Sequence, residues 1–367
     1  MKRKFFKFAA LTLAATMTIG STAVFAADTA AEEETPVHNS QYNSLDFIKN
    51  NMPETPSLRF TGSTKEEYAK WREETREKLK EVMGISKLST ANTAPRLLER
   101  VDCGTYTRLK YEIDTTKDLV MPFYVLRPKN DANGKAAIAI HGHGSDGKEG
   151  LVGTESADYT ESVKKYHYTY AMELLEKGYT VYVPDLLGAG ERTLGIYKNT
   201  TAECNDINNA LTSLGYSLQG VITFENMRLT DYIATQGYEE IECVGFSGGG
   251  QSALWLDVMS DKIKTTIISG FFHSYRDTLL YNNRCGCNFV PTMWEYVDMG
   301  DIVALCADKD IYFETGDSDS LNGDRGINGV KEQADIANKC FKLFDKKVEL
   351  KVCKGSHQWY GAWNDKL

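Results

Sequence analysis

Ile241-Glu242-Cys243-Val244-Gly245-Phe246-Ser247-Gly248-Gly249, running into a predicted helix Gly249 to Met259, decides the fold of this 367-residue chain. The apolar run Ile241 to Gly245 reads as a short buried strand, and the glycines on either side of Ser247 mark an abrupt passage from strand to helix. A G-x-S-x-G in that context needs a turn tight enough to leave the serine hydroxyl exposed. Glycines permit it, because a Cβ there would clash with neighbouring backbone, and the helix N-terminus behind Ser247 favours developing negative charge.

Outward from this unit the same rhythm repeats. Lys135 to Ile140 reads as a strand ending in His141-Gly142-His143-Gly144. A helical stretch Thr160 to Lys177 leads through Gly178 to the strand Tyr179 to Val183, closed by Pro184-Asp185. Helix Phe224 to Thr235 precedes the central strand, and strand Lys264 to Ile268 follows its helix. After an insertion near 273 to 300 come helix Asp301 to Cys306, strand Asp310 to Glu314, helix Val330 to Phe344 and strand Val348 to Cys353. Alternating β and α elements of this kind predict an α/β fold with a doubly wound, mostly parallel sheet. Tyr106 to Ile113 and Leu119 to Leu126 add strands upstream. Before them, Ser63 with Glu66 suggests a capping box. It opens a helix with Tyr68, Trp71, Leu79 and Val82 on one face and Gly84 at its end, an N-terminal helical extension serving as lid or brace.

The N-terminus carries Lys2, Arg3, Lys4 and Lys7 ahead of an apolar run Phe8 to Ile19 and the small residues around Val24-Phe25-Ala26-Ala27, the layout of a cleaved secretory signal. The run is short of the roughly 20 residues needed to span a bilayer. The expected organisation is therefore a signal peptide 1–27, a leader and helical extension 28–100, and a catalytic domain 101–367, with the mature protein extracellular and off the membrane. Removal of those four cations takes the formal charge from −9 to −13, which argues against nucleic acid as a partner. An exported chain could pair its eight cysteines, but Cys243, Cys306 and Cys353 sit in apolar stretches that suit buried free thiols. Cys285 and Cys287 form a C-x-C without a companion pair or a nearby histidine in the sequence, so neither a metal nor any other cofactor is expected.

A serine hydroxyl is a weak nucleophile until a base accepts its proton. Of six histidines, His357 lies just past the last predicted strand; His38 is in the leader, His167 in a predicted helix and His273 ahead of the acidic candidates. The acid that orients the base should follow the preceding strand, where Glu314, Asp317 and Asp319 are available. Asp319 is the first choice, having room beyond the strand and Gly316 to reach across. An oxyanion needs two fixed N–H donors. Gly248 is the residue after the nucleophile, and the His143 amide is the best second donor, the two histidines of His141-Gly142-His143 having no acidic or cysteine partner nearby in sequence that would suggest a metal. Tyr281, Trp294, Tyr296, Trp359 and Tyr360 could form a rim for stacking sugars, although aromatics at such spacing more often pack in a core.

Four blocks carry a family resemblance: His141-Gly142-His143-Gly144 with Gly147-Lys148; Gly178-Tyr179 through Pro184-Asp185 with Gly188, Gly190, Glu191 and Arg192; Gly245 to Gly250; and the late Asp319 and His357. Together they resemble the α/β-hydrolase superfamily, in its acetyl-xylan-esterase-like and dienelactone-hydrolase-like branch, over about two-thirds of the chain. The resemblance implies a sheet of the α/β-hydrolase type, Ser247, Asp319 and His357 as a catalytic triad, and oxyanion donors from the H-G-x block. It also implies a serine carboxylic-ester hydrolase acting on small acyl groups of carbohydrate-like substrates. The chain ends ten residues after His357, too soon for a long closing helix, so the N-terminal helix is expected to cover that face. Two rivals remain at this point: a secreted serine peptidase, against which no gating domain precedes the hydrolase part, and an inactive binding protein on the same scaffold.

Overall fold

The computed structural model describes residues 44–367 apart from 144–146, 154–156, 196–199 and 280–283. The expected signal segment, His38, Gly144 and Tyr281 lie outside the described residues. Residues 47–367 form one compact unit, and of residues 1–46 only the start of a helix Ser44–Asn51 is described.

Among the described residues nine strands form a single sheet: β1 (Arg96–Asp102), β2 (Tyr106–Asp114), β3 (Val120–Pro128), β4 (Ala136–Ile140), β5 (Thr180–Pro184), β6 (Ile241–Phe246), β7 (Thr265–Ser269), β8 (Asp310–Gly316) and β9 (Glu349–Cys353). Their spatial order is β1-β2-β3-β5-β4-β6-β7-β8-β9. Pairings from β1 to β5 along that order are antiparallel, and every pairing from β5 through β4 to β9 is parallel. Strands β4 to β7 are buried along their whole length, as parallel strands covered by helices on both faces must be. Successive side chains point to opposite faces, so Ile138, Ile140, Cys243 and Ile268 join one apolar core while Ala137, Ala139, Val244 and Ile267 join the other.

The N-terminal helix Lys65–Val82 lies against the first of these cores. Its Tyr68 hydroxyl donates to the Ala304 carbonyl (3.0 Å), and Arg72 and Arg76 donate to the carbonyls of Leu305 (2.9 Å) and Met259 (2.8 Å). The other core is closed by the C-terminus itself. Trp359 and Trp363 fold back onto it, Trp363 donating to the Phe313 carbonyl at 2.8 Å. The N-terminal helix thus packs on the face opposite to the one that Trp359 and Trp363 cover, and not on the face it was expected to cover.

Several boundaries depart from the sequence reading. The capping box is Thr64 with Glu67, one residue later than the Ser63–Glu66 spacing suggests, because the Glu67 carboxylate accepts from the amides of both Ser63 and Thr64. The stretch 160–177 is two helices, Ala157–Tyr166 and Tyr170–Glu176, broken where His167 takes a positive φ of 55° and Tyr168 turns inward, so His167 is not helical. Strand β1 and the helix Thr200–Ser213 have no counterpart in the sequence reading. β1 is an almost fully exposed edge strand, so no alternation of burial marks it.

Candidate active site

The topology puts the carboxyl ends of β4, β6, β7, β8 and β9 side by side along one edge. The chain moves outward from β4 to β5 and then returns to β6 on β4's other side, so a crevice opens at that switch point. Ser247 ends β6 on one side of it and His141-Gly142-His143 ends β4 on the other.

Ser247 has φ 57° and ψ −121°, a backbone posture that costs a non-glycine residue about 1–3 kcal/mol and persists only when the surroundings impose it. They do. The Ser247 amide is tied to the Ser269 carbonyl (2.8 Å). A Cβ at Gly245 would stand 2.1 Å from the Gly249 carbonyl oxygen, and one at Gly249 would stand 2.0 Å from that of Ile140. Only glycines allow the strand to turn this sharply beneath β4.

The loops after β8 and β9 bring the remaining partners. His357 Nε2 is 2.8 Å from Ser247 Oγ, and His357 Nδ1 is 2.7 Å from Asp319 Oδ2. The second Asp319 oxygen accepts from the Leu321 amide (2.8 Å), which fixes the carboxylate plane. The imidazole rests on the Phe246 ring, 4.6 Å between centroids, and against Gly270, where a Cβ would come within 2.9 Å of Cε1. The other two acids are occupied elsewhere. Asp317 accepts from the Gly355 amide (3.0 Å), and buried Glu314 accepts from the amides of Tyr360 (2.8 Å) and Ala362 (2.7 Å), pinning the C-terminal segment. Of the three candidates, Asp319 is the one that meets the histidine.

The loop after β4 is built to be rigid. His141 is fully enclosed, and burial, opposed in part by the charge of Asp185, holds its pKa below the ordinary histidine value. Its Nε2 accepts from the Leu186 amide (3.1 Å), leaving a proton on Nδ1 to donate to the Gly142 carbonyl (2.9 Å). The Gly142 amide donates to the Tyr168 hydroxyl (2.6 Å), and a Cβ at Gly142 would meet that oxygen at 2.4 Å and Ser247 Cβ at 3.3 Å. Behind the loop, Lys148 Nζ is 2.7 Å from Asp185 Oδ2, with both side chains shut off from solvent, and it also reaches Glu191. Arg192 makes a two-pronged pair with buried Glu225 at 2.7 and 2.8 Å. Gly147 and Gly190 adopt positive φ around Asp185, where a Cβ on either would collide with the carboxylate. The charged residues of the first two sequence blocks are thus an ionic scaffold under the loop, and Tyr168, which no sequence signal marked, is its inner strut.

A cavity of about 140 Å³ opens at Ser247, with His143, Gln251, Phe271, Arg284 and Asn288 among its walls. The proposed aromatic rim is absent from it among the described residues. Trp359 is buried in the core, Trp294 and Tyr296 pack half-buried against the other core, and Tyr360 folds over Gly355 to donate to the Ser356 carbonyl. Arg284, unmarked by the sequence reading, is a wall residue held by the Leu321 carbonyl. A different departure concerns the C-x-C pair. Cys285 and Cys287 do have a histidine and a third cysteine beside them, His143 and Cys204, brought from distant points in the chain.

No helix among the described residues is long and apolar enough to cross a membrane. An esterase that the solved structures describe as a "putative acetyl xylan esterase" from Bacteroides fragilis NCTC 9343 superimposes with a TM-score of 0.69 at 20% identity, over 88% of this chain and 84% of that one. A glucuronoyl esterase from Solibacter usitatus does so with a TM-score of 0.58 at 14% identity, over 87% and 97%. Among curated proteins, the Bacillus subtilis (strain 168) protein named "Putative hydrolase YtaP" is 24% identical over 222 residues, 58% of this chain and 70% of its own length. The sheet order and helices match the α/β-hydrolase fold of those structures, and the family model described as the Abhydrolase family matches residues 38–346, so the chain belongs to that family.

Proposed function

We propose that the protein is a serine carboxylic-ester hydrolase that removes small acyl groups from carbohydrate-like substrates through an acyl-enzyme. The observation that carries this reading is the unbroken relay from Asp319 through His357 to Ser247, at 2.7 and 2.8 Å, ending on a strained elbow at the mouth of a cavity. Ser247 Oγ attacks the ester carbonyl carbon while its proton passes to His357 Nε2. Asp319 holds the Nδ1 proton and stabilises the imidazolium. The tetrahedral oxyanion lies against the amides of Gly248 and His143, and Gly248, as the first helical residue, has no intrahelical acceptor to compete for its N–H. Collapse expels the alcohol, which takes the proton from His357. Water then gives a proton to His357 and its oxygen to the acyl carbon, releasing the carboxylic acid and restoring Ser247.

The size of the cavity supports a short acyl group, with the alcohol left outside at the mouth. The names of the Bacteroides and Solibacter structures point to carbohydrate esters as the substrate class. The basic and apolar N-terminus supports an extracellular setting, where such polymers are met. The test compares phenolate release from an aryl acetate by the purified chain and by Ser247→Ala. Loss of at least about 10⁴-fold in kcat is expected, and equal rates from the two proteins would end the serine reading. Acetate release from acetylated xylo-oligosaccharides then tests the substrate class separately.

A further inference from the structure

Beside the serine, but on the side away from His357, three sulfurs and an imidazole converge. His143 Nε2 lies 3.2 Å from Cys287 Sγ, 3.3 Å from Cys285 Sγ and 3.7 Å from Cys204 Sγ. All four atoms fall within 4.8 Å of one another, and the three cysteines are buried. A tetrahedral zinc with bonds of about 2.3 Å to sulfur and 2.0 Å to nitrogen separates its ligands by about 3.5 Å (S to N) and 3.8 Å (S to S). The sulfur–nitrogen distances already bracket that spacing. Cys285 and Cys287, at 3.1 Å, need only a small side-chain rotation to open around an ion.

The surroundings suit thiolates. The Asn288 side-chain amide points at Cys285 Sγ (3.5 Å) and Cys287 Sγ (3.6 Å), while Gln251 donates to the Cys287 carbonyl (3.0 Å) and Asn205 accepts from the Gly286 amide (2.6 Å). Such outer contacts orient ligands and support charge on sulfur. Three thiolates, a neutral imidazole and a divalent ion leave one net negative charge, and the Arg284 guanidinium lies close enough for its charge to act on both Cys285 and Cys287. Asp319 acts on the same guanidinium without pairing with it, so the cluster would add to the counter-charge that Asp319 supplies.

We propose that His143, Cys204, Cys285 and Cys287 bind one zinc ion in a closed, structural site. The four ligands come from three separate crossings of the sheet: the loop after β4, the helix Thr200–Ser213 after β5, and the insertion after β7. The ion would clip these together. It would also fix the His143 ring, whose Nδ1 edge rests on Gly248 so closely that a Cβ there would be 2.2 Å away. In that way a buried ion sets the loop beside Ser247 without touching substrate. Zinc binding stands apart from the esterase reading, since it is measured without any substrate.

The full-length chain, purified without chelators or a polyhistidine tag, should contain about one zinc per molecule by elemental analysis. Cobalt exchanged into the site should show the sulfur-to-metal charge-transfer and strong visible bands of tetrahedral thiolate coordination. Cys204→Ser and Cys287→Ser should each cut bound metal at least tenfold, whereas Cys103→Ser and Cys353→Ser, outside the cluster, should leave it unchanged. Should the first two fail to fold, alkylation of the wild-type chain decides: three thiols protected with metal and released by a strong chelator support the site. Two thiols still missing after the unreduced chain is denatured in chelator would mean a disulfide and overturn it. No metal retained after incubation with zinc, and no thiol whose reactivity changes with the chelator, would overturn it equally.

Discussion

The two flanks of Ser247 are built on different principles. On the His357 side, each group stands on the loop following a parallel strand, and neighbouring strands carry it directly to its partner. On the His143 side, position depends on an ionic scaffold beneath the loop, a tyrosine inside it and a knot of thiols outside it. In the proposed reaction the first flank would move protons, and the second would hold the His143 amide still. A flank made of strand ends inherits its precision from the sheet, whereas one made of loops has to be clamped by side chains.

Substitutions can separate these two kinds of precision. The largest effect should follow Asp319→Asn, which keeps the shape but offers Nδ1 the wrong partner; kcat is expected to fall about 10³- to 10⁴-fold with little change in Tm. Asp317→Asn should stay within a few-fold of wild type, and the reverse ranking would reassign the acid. Next, Lys148→Met leaves the Asp185 charge buried without its cation, a loss of about 3–5 kcal/mol that should lower Tm by around 10 °C. An unchanged Tm would remove the ionic scaffold from the argument. Smallest, removing the proposed zinc should slow ester hydrolysis about 10- to 100-fold at every pH alike, because the proton relay is untouched. A shifted pH–rate profile would instead join the two flanks into one unit.

The relay side was legible because its residues occur in chain order after recognisable strands: Ser247 at a glycine-flanked strand end, then an acid after β8 and His357 after β9. Even so, sequence put Asp319 ahead of Asp317 and Glu314 only on its reach past Gly316, whereas what separates them is which carboxylates are already engaged by backbone amides. The clamped side was scarcely legible. Cys204 sits in the helix Thr200–Ser213, whose polar sequence shows little apolar periodicity, and 61 residues separate Cys204 from His143. Likewise, the break at His167 follows from Tyr168 reaching Gly142, a contact that leaves no local trace. Edge strand β1 owes its existence to its partner β2 and not to its own pattern.

The left-handed posture of Ser247 has a consequence for anyone selecting hardier versions of this protein. A glycine there would adopt φ 57° without steric objection, so the fold itself would prefer Ser247→Gly while the proposed chemistry would be lost. Heat selection without a turnover screen would therefore drift towards silent molecules, and the elbow is the first position to sequence in its survivors.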